Sequence, residues 1–185
     1  MDIPALINRR QTLLKNYRAG QIDLLAIIIF TVVNVVLTLT ASGSYFLFSA
    51  FIPFEFLYSA MLLCGKFPAE WYEGLEGFEF FDESMFHAAI VVVVLFLAIY
   101  TVCLVFSSKN RYGWLIAALV VFSLDTLYLL TMFDVSFIVD LAIHVIAIIG
   151  LARAVHAGYQ LKKIPSDAEL AAAWEAEQAA ATVTE

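Results

Sequence analysis

Residues 85–106 read MFHAAIVVVVLFLAIYTVCLVF and contain no Asp, Glu, Lys or Arg. Because a helix rises by ~1.5 Å per residue, a run of this length covers about 33 Å. The hydrocarbon layer of a bilayer is roughly 30 Å thick, so the run is long enough to cross it. The stretch therefore predicts a transmembrane helix, around which the rest of the fold must be built.

The composition of the whole chain agrees with a membrane location. Of its 185 residues, 63% are hydrophobic and 15% are charged, whereas a soluble domain is roughly half apolar and a quarter charged. These proportions exclude a water-soluble globule and a disordered chain, and two cysteines exclude a disulfide-rich scaffold. A net charge of -7 with ten Lys and Arg residues argues against nucleic acid, so the expected partner is the lipid bilayer.

Three further apolar runs have the length of a membrane span. They cover residues 21–41, 113–132 and 136–158. The connector Phe133-Asp134-Val135 is so short that the last two spans must form an antiparallel hairpin. The sequence therefore predicts an all-α fold, a multi-pass integral membrane bundle of four spans within residues 21–163.

Residues 45–64 are also apolar, but Pro53 removes a backbone donor and Glu55 places a carboxyl near the middle, and both are costly against lipid. If this segment crosses, the Lys and Arg residues divide five against five between the two sides. If it dips in and returns, nine of the ten lie on the N-terminal side and Lys66 lies opposite. Because cytoplasmic loops collect Lys and Arg, we predict four spans, a re-entrant or interfacial segment, and both termini in the cytoplasm of a plasma (inner) membrane. A fifth span is the alternative.

The first twenty residues have the pattern of a surface helix. Leucines and Tyr17 recur at helical spacing, with Arg and Lys residues filling the other face. Such a pattern is typical of a basic amphipathic helix on an anionic membrane surface. We predict this helix over residues 1–20, with Gly20 ending it as a C-cap.

Residues 164–185 form an acidic, alanine-rich tail. Ser166 and Glu169 have the spacing of a capping box, which predicts an acidic cytoplasmic tail helix. Its apolar stripe is narrow and would bury little area. We therefore expect an unattached tail, and a protein partner at this helix is the alternative.

Residues 66–84 interleave acidic and aromatic side chains. The carboxylates are Glu70, Glu73, Glu76, Glu79, Asp82 and Glu83, and the rings are Phe67, Trp71, Tyr72, Phe78, Phe80 and Phe81. Gly74 and Gly77 weaken any helix there. Because aromatic rings prefer the headgroup level and carboxylates prefer water, we predict an irregular acidic-aromatic cap on the outer surface.

Four polar residues interrupt the apolar spans, namely Asn34, Asp125, Asp140 and His144. An uncompensated charge in a bilayer costs about 2.5–3.5 kcal/mol or more, so each should point inward and find a partner. Asp140 and His144 are four positions apart and therefore share one helix face. Counting from the span ends places Asn34, Asp125 and His144 near one level.

This polar set is the candidate functional centre, and it opens outward with Glu55 and His87 as outer contributors. Ionisable groups within spans are typical of ion and proton pathways. The leading interpretation is a non-enzymatic membrane protein that handles or senses a small solute or cation and needs no cofactor. The alternative is a structural or accessory subunit, in which the same groups only clamp the helices together.

A second alternative is a metal-dependent intramembrane hydrolase. Asp125, Asp140 and His144 are the residues that would hold a divalent metal, with His87 nearby. The signal is weak, because the chain lacks zinc-protease spacing, a serine elbow, a phosphate-binding glycine loop and a Cys-x-x-Cys pair. The sequence therefore favours a protein that is not an enzyme.

Small residues recur along one face of the last span. Gly150, Ala154 and Gly158 lie at successive four-residue steps. Such a track lets two helices approach closely. We predict a homo-oligomer contact through these three residues.

Overall fold

The computed structural model describes residues 2–46, 48–74, 77–109, 111–132 and 134–183. Within these ranges the regular elements are helical. The α-helices are α1 (Ile3–Leu39), α2 (Phe51–Leu63), α3 (Glu83–Ser107), α4 (Gly113–Thr131), α5 (Ile138–Leu161) and α6 (Asp167–Val183). Short 3-10 turns lie at Ala69–Tyr72 and directly before α5. Glu76 of the predicted cap and Phe133 of the predicted connector lie outside the described residues.

Four helices, α1, α3, α4 and α5, are long and apolar enough to cross a membrane. The predicted all-α membrane bundle of four spans is therefore confirmed. The first turns of α1 and α6 lie at one end of the bundle, where the Arg10 side chain pairs with Asp167. The Tyr17 hydroxyl donates to the Ser107 carbonyl at 2.7 Å near the same end. We call this end the terminal side and the opposite end the loop side.

The surface helix predicted for residues 1–20 is part of a longer helix. α1 is continuous for 37 residues from its cap at Asp2, so the predicted helix end at Gly20 is wrong. Gly20 is required for packing instead, because a Cβ there would lie 2.2 Å from the Cβ of Ala154 on α5. At ~1.5 Å per residue α1 covers about 55 Å, so it extends well beyond a ~30 Å hydrocarbon layer.

The small-residue track of α5 packs against α1 of the same chain. Ala154 is fully buried. A Cβ at Gly150 would lie 2.4 Å from Asp23 Oδ2, and one at Gly158 would lie 2.8 Å from the Tyr17 ring. The homo-oligomer contact predicted through Gly150, Ala154 and Gly158 is therefore occupied within the protomer, since α1 already fills this face.

The described residues between Thr40 and Cys64 enter the bundle from the loop side and return to it. α2 has 13 residues, or about 20 Å, which is too short to cross a bilayer. Its first turn lies beside Asp125, inside the bundle. Cys64, directly after α2, lies at the loop side, where its thiol contacts the Asp82 carbonyl before α3. Among the described residues the alternative fifth span is therefore not formed.

The acidic-aromatic segment of residues 66–84 has little regular structure before α3. Its described part contains the 3-10 turn at Ala69–Tyr72 and no α-helix until Glu83. Gly74 and Gly77 both have positive φ, a conformation that glycine adopts without strain and that ends helices. The irregular backbone predicted for this stretch is what the described residues adopt.

The tail helix α6 begins at the predicted capping box. The Ser166 amide and hydroxyl both donate to the Glu169 carboxylate at 2.7 Å, and these bonds hold the pKa of Glu169 below its ordinary value. The expectation of an unattached tail is wrong. Leu170 is only 2% exposed, and the Asp167 carboxylate accepts a hydrogen bond from Arg10 Nε at 2.6 Å. Arg10 also donates to the Pro165 carbonyl at 3.0 Å. One buried leucine and one arginine are too small a signal to predict this contact from the sequence.

Candidate functional site

The four polar residues predicted from the spans lie inside the bundle, and we call them the polar centre. Asn34, Asp125, Asp140 and His144 are each at most 2% exposed. His144 Nε2 lies 3.4 Å from Asp125 Oδ2, and His144 Nδ1 lies 3.8 Å from Asp140 Oδ1. Asn34 is linked to this group through the segment that leads into α2.

Asp125 holds the N-terminus of α2. Its Oδ2 accepts the amide of Phe51 at 2.8 Å, and its Oδ1 accepts the amide of Ile52 at 2.7 Å. The first turn of a helix has N–H groups without partners inside the helix and carries partial positive charge. The N-cap residue, Ala50, has no side chain that can satisfy them. A carboxylate from α4 therefore caps a helix that is distant in sequence.

Asn34 holds the backbone of the same entering segment. Its Oδ1 accepts the Phe46 amide at 2.6 Å, and its Nδ2 donates to the Phe46 carbonyl at 2.8 Å. The Nδ2 atom also donates to Ser49 Oγ at 2.6 Å. One side-chain amide thus satisfies both backbone groups of a residue that enters the bundle without secondary structure, as buried backbone requires.

Thr31 is a member of this site that the sequence did not reveal. Its Oγ1 accepts the amide of Ala50 at 3.0 Å and donates to the Ile27 carbonyl at 2.7 Å. The available signal was its position three residues before Asn34, which places both on one helix face. A threonine in an apolar helix usually bonds only its own helix, so the signal was not specific.

His144 faces Asp125 with one nitrogen and its own helix with the other. Its Nδ1 lies 2.9 Å from the Asp140 carbonyl, which can only accept, so Nδ1 carries a proton. Within the described part of the chain, Nε2 has no hydrogen-bond partner. A proton on Nε2 would make an imidazolium–carboxylate pair, whereas without it two acceptors face each other. The pair can therefore take up one proton at a place closed to water.

The donor set does not fit the metal-site alternative. Asp125 and Asp140 approach different nitrogens of the His144 ring, so the three groups do not converge on one point. Among the described residues, no three His, Cys, Asp or Glu side chains are arranged to hold a metal ion. The described residues therefore give no support to the metal site considered for Asp140, His144 and Asp125, or to the metal-dependent hydrolase based on it.

The two outer contributors lie apart from the polar centre. Glu55 on α2 accepts a hydrogen bond from the Ser59 hydroxyl at 2.9 Å and lines a pocket near the surface. His87 is exposed near the start of α3. The structure therefore brings the four predicted residues of the centre together but leaves Glu55 and His87 outside it.

The pocket beside Glu55 has a volume of about 300 Å³, and we call it the loop-side pocket. Its wall combines one carboxylate with six aromatic rings: Glu55, Tyr45, Phe54, Tyr58, Phe67, Trp71 and Phe137. The Tyr45 and Phe54 rings stack at 5.1 Å, and the Phe67 and Trp71 rings stack at 4.5 Å. The sequence analysis placed Phe67 and Trp71 in an interfacial cap. Their convergence with the other four rings could not be predicted, because it depends on how the entering segment folds.

Comparison with known proteins adds no relative to this description. No family model matches the chain, and neither a curated protein nor a solved structure matches it significantly. The function must therefore be inferred from the geometry of the site.

Proposed function

We propose that this chain is a non-enzymatic membrane protein that handles or senses a small cation at the loop side. Asn34, Asp125, Asp140 and His144 form the buried centre that responds to the cation. The observation that carries the proposal is that Asp125 caps the first two amides of α2 while it faces His144. Because α2 also carries Glu55 of the loop-side pocket, one short helix joins the pocket to the centre.

The proposed coupling follows from helix geometry. Phe54, Glu55 and Tyr58 line the pocket and lie within about two turns of the capped amides. A cation that displaces α2 therefore strains the bonds to Asp125. In the other direction, a proton taken up between Asp125 and His144 changes the charge that opposes the helix dipole. Each event changes the free energy of the other, which is what coupling between two sites requires.

Charge supports a cationic solute over an anionic one. Between residues 43 and 84 the sequence has seven acidic residues and a single basic one, Lys66. Lys66 is paired with Glu83, so its charge is already compensated. An excess of negative charge around a pocket raises the local concentration of cations and their rate of binding.

We place the loop side outside the cell and both termini in the cytoplasm, because nine of the ten Lys and Arg residues belong to the terminal side. An impermeant maleimide on intact cells tests this orientation in a Cys64→Ala background. Glu79→Cys should be labelled, whereas Glu175→Cys should be protected until the cells are lysed. The reverse labelling pattern would overturn the orientation.

Liposomes containing the purified protein test the function itself. We expect gradients of Na⁺, K⁺ or tetramethylammonium to produce cation entry or a change in the maleimide reactivity of Ser44→Cys at the pocket. The response should vary between pH 5 and 8, where histidine titrates. Asp125→Asn and His144→Gln should remove this pH dependence while Asp134→Asn, an exposed carboxylate on the same side, preserves it. The absence of both flux and a reactivity change with every one of these cations would overturn the proposal. An unaltered pH dependence in folded His144→Gln would also overturn it.

A structural or accessory subunit is the second candidate, and one observation favours it. Both oxygens of Asp125 and the amide of Asn34 are used by backbone groups of the same chain. A protein of this kind would be inert alone and would purify with a partner at fixed stoichiometry. The tail is the proposed contact for that partner, since Trp174 is 38% exposed on α6, so Trp174→Ala should release it.

A further inference from the structure

The loop-side pocket has the chemistry of a site for an alkylated ammonium group. We propose that it binds a quaternary ammonium cation, with aromatic faces around the methyl groups and Glu55 supplying the opposite charge. This inference rests on the proposed function, because it names the class of cation that the loop side takes. It is carried by the lining of the pocket rather than by the acidic residues of the surrounding surface.

The aromatic rings of the pocket form a connected wall. The Phe54 and Tyr58 rings lie 5.9 Å apart, the Tyr58 and Phe67 rings 5.2 Å apart, and the Tyr58 and Trp71 rings 6.3 Å apart. Tyr45 extends this wall through its stack on Phe54. The face of an aromatic ring is negative, so several rings around one space attract a cation there.

Glu55 gives the pocket its charge. It is the one carboxylate among the described lining residues, and it is partly buried. The hydrogen bond from Ser59, one turn further along α2, fixes the carboxylate on its helix. Because Glu55 is partly buried, the attraction between its carboxylate and a bound cation is stronger than at an open surface.

The wall favours an alkylated ammonium over a metal ion or a primary amine. Ca²⁺ takes six to eight oxygen ligands and favours several carboxylates, whereas Glu55 is the one carboxylate that the described lining supplies. A primary ammonium needs hydrogen-bond acceptors for its three donors, whereas a quaternary ammonium needs only ring faces and a counter-charge. Lys66, the nearby cation of the chain, does not fill the pocket, since it pairs with Glu83 and lies over the Phe86 ring.

The volume of the pocket restricts the ligand to a small group. About 300 Å³ lies at the lower end of the roughly 300–1,000 Å³ range of ligand pockets. A small quaternary ammonium in solution would fit, as would the phosphocholine headgroup of a lipid at the membrane surface. Both present the same chemistry to the rings, and the experiment must distinguish these two sources.

Equilibrium binding of radiolabelled tetramethylammonium tests the proposal. The full chain is placed in nanodiscs of phosphatidylglycerol, which contain no choline headgroup. We expect saturable binding that choline displaces. The control competitor is 3,3-dimethyl-1-butanol, which has the shape of choline without the charge, and it should not displace the label.

Variants of the wall should weaken binding without unfolding the protein. We expect Glu55→Gln to lower the affinity about tenfold or more, because it keeps the shape and removes the charge. Trp71→Ala should lower it about tenfold, through loss of one ring face. Glu79→Gln and Phe78→Ala are the matched controls, since both residues are exposed on the same segment outside the pocket. Protection of the buried Cys103 thiol from a thiol-reactive dye, measured in a Cys64→Ala background, shows whether each variant is folded.

The outcomes separate this inference from the proposed function. Saturable tetramethylammonium binding that Glu55→Gln weakens supports the inference. Native mass spectrometry tests the second source of the ligand. If the protein retains phosphatidylcholine, does not bind free tetramethylammonium, and loses the lipid in the same wall variants, the site is confirmed and its ligand is a lipid headgroup. If Na⁺ or K⁺ alters Ser44→Cys reactivity but tetramethylammonium does not bind, the inference fails while the proposed function stands. Binding that survives both wall variants overturns the inference as well.

Discussion

The polar centre and the loop-side pocket are joined by one short helix, yet they differ in access to water and in hydrogen bonding. In the centre, Asp125 and Asn34 are almost completely buried and are bonded to backbone groups of the entering segment. In the pocket, aromatic rings and Glu55 surround a space of about 300 Å³. The comparison teaches that an ionisable residue inside a span can be an anchor, and that the chemistry for binding can lie at the surface above it.

Substitutions in the polar centre should lower the stability of the fold. Substitutions in the loop-side pocket should lower ligand binding and leave stability nearly unchanged. Stability can be measured as thermal unfolding with a thiol-reactive dye in a Cys64→Ala background, where Cys103 is the remaining thiol. Cys103 is 2% exposed, so it reacts when the bundle opens. Four substitutions test the comparison with this readout.

Asp125→Ala should have the largest effect. It leaves the amides of Phe51 and Ile52 buried without an acceptor, and each such group costs about 1–3 kcal/mol. We expect the free energy of unfolding to fall by about 3 kcal/mol. Glu79→Ala, which removes an exposed carboxylate on the loop side, should leave the unfolding temperature unchanged. Equal unfolding temperatures for the two variants would show that Asp125 is not an anchor.

Asn34→Ala should have the next largest effect. The substitution removes three hydrogen bonds to Phe46 and Ser49. The Phe46 amide loses its acceptor, while the Phe46 carbonyl keeps the Ser49 hydroxyl as a donor. We expect a loss of about 2 kcal/mol in the free energy of unfolding. Asn16→Ala is the control on the same helix, since Asn16 is exposed. An unfolding temperature equal to that of the wild type would contradict the conclusion that Asn34 holds the entering segment in place.

Thr31→Val should have a smaller effect. The two side chains have nearly the same shape, but valine cannot accept the Ala50 amide. We expect a loss of about 1 kcal/mol, measured in the same melts. Thr40→Val removes an exposed hydroxyl that bonds its own helix and should change stability much less. If the two threonine variants have the same unfolding temperature, the hydrogen bond from the Ala50 amide contributes nothing to stability.

Glu55→Gln should have the smallest effect on stability. Its carboxylate lines the pocket and does not hold the backbone of the entering segment. We expect a change within about 0.5 kcal/mol, as for most substitutions away from buried networks. A large loss of stability would place Glu55 with the anchoring residues and remove the distinction between the two regions.

The spans and the members of the centre could be predicted because both depend on local composition. The run at residues 85–106 is long enough to cross a bilayer whatever surrounds it. Asp125 and His144 stand out because a charge inside such a run must find a partner. The spacing of Asp140 and His144 predicted a shared face, and the structure places the Asp140 carbonyl 2.9 Å from His144 Nδ1.

The partners of the centre could not be predicted, because most of them are backbone groups. Every residue except proline has a backbone N–H group. The residue types of Phe51 and Ile52 therefore do not indicate that their amides are the ones that Asp125 binds. The loop-side pocket could not be predicted from the sequence for a related reason. Tyr45 and Trp71 are distant in sequence, and they line one space only because the entering segment turns back at α2.

The separation between α2 and its cap has a consequence for how the chain is made. Phe51 and Asp125 are 74 positions apart, so the ribosome completes the second apolar segment well before it reaches the carboxylate. Until α4 has entered the membrane, the first amides of α2 must be satisfied by water or lipid headgroups. The helix α2 therefore cannot reach its final, capped position before α4 has been inserted, so its assembly depends on a helix that follows it by two in the sequence.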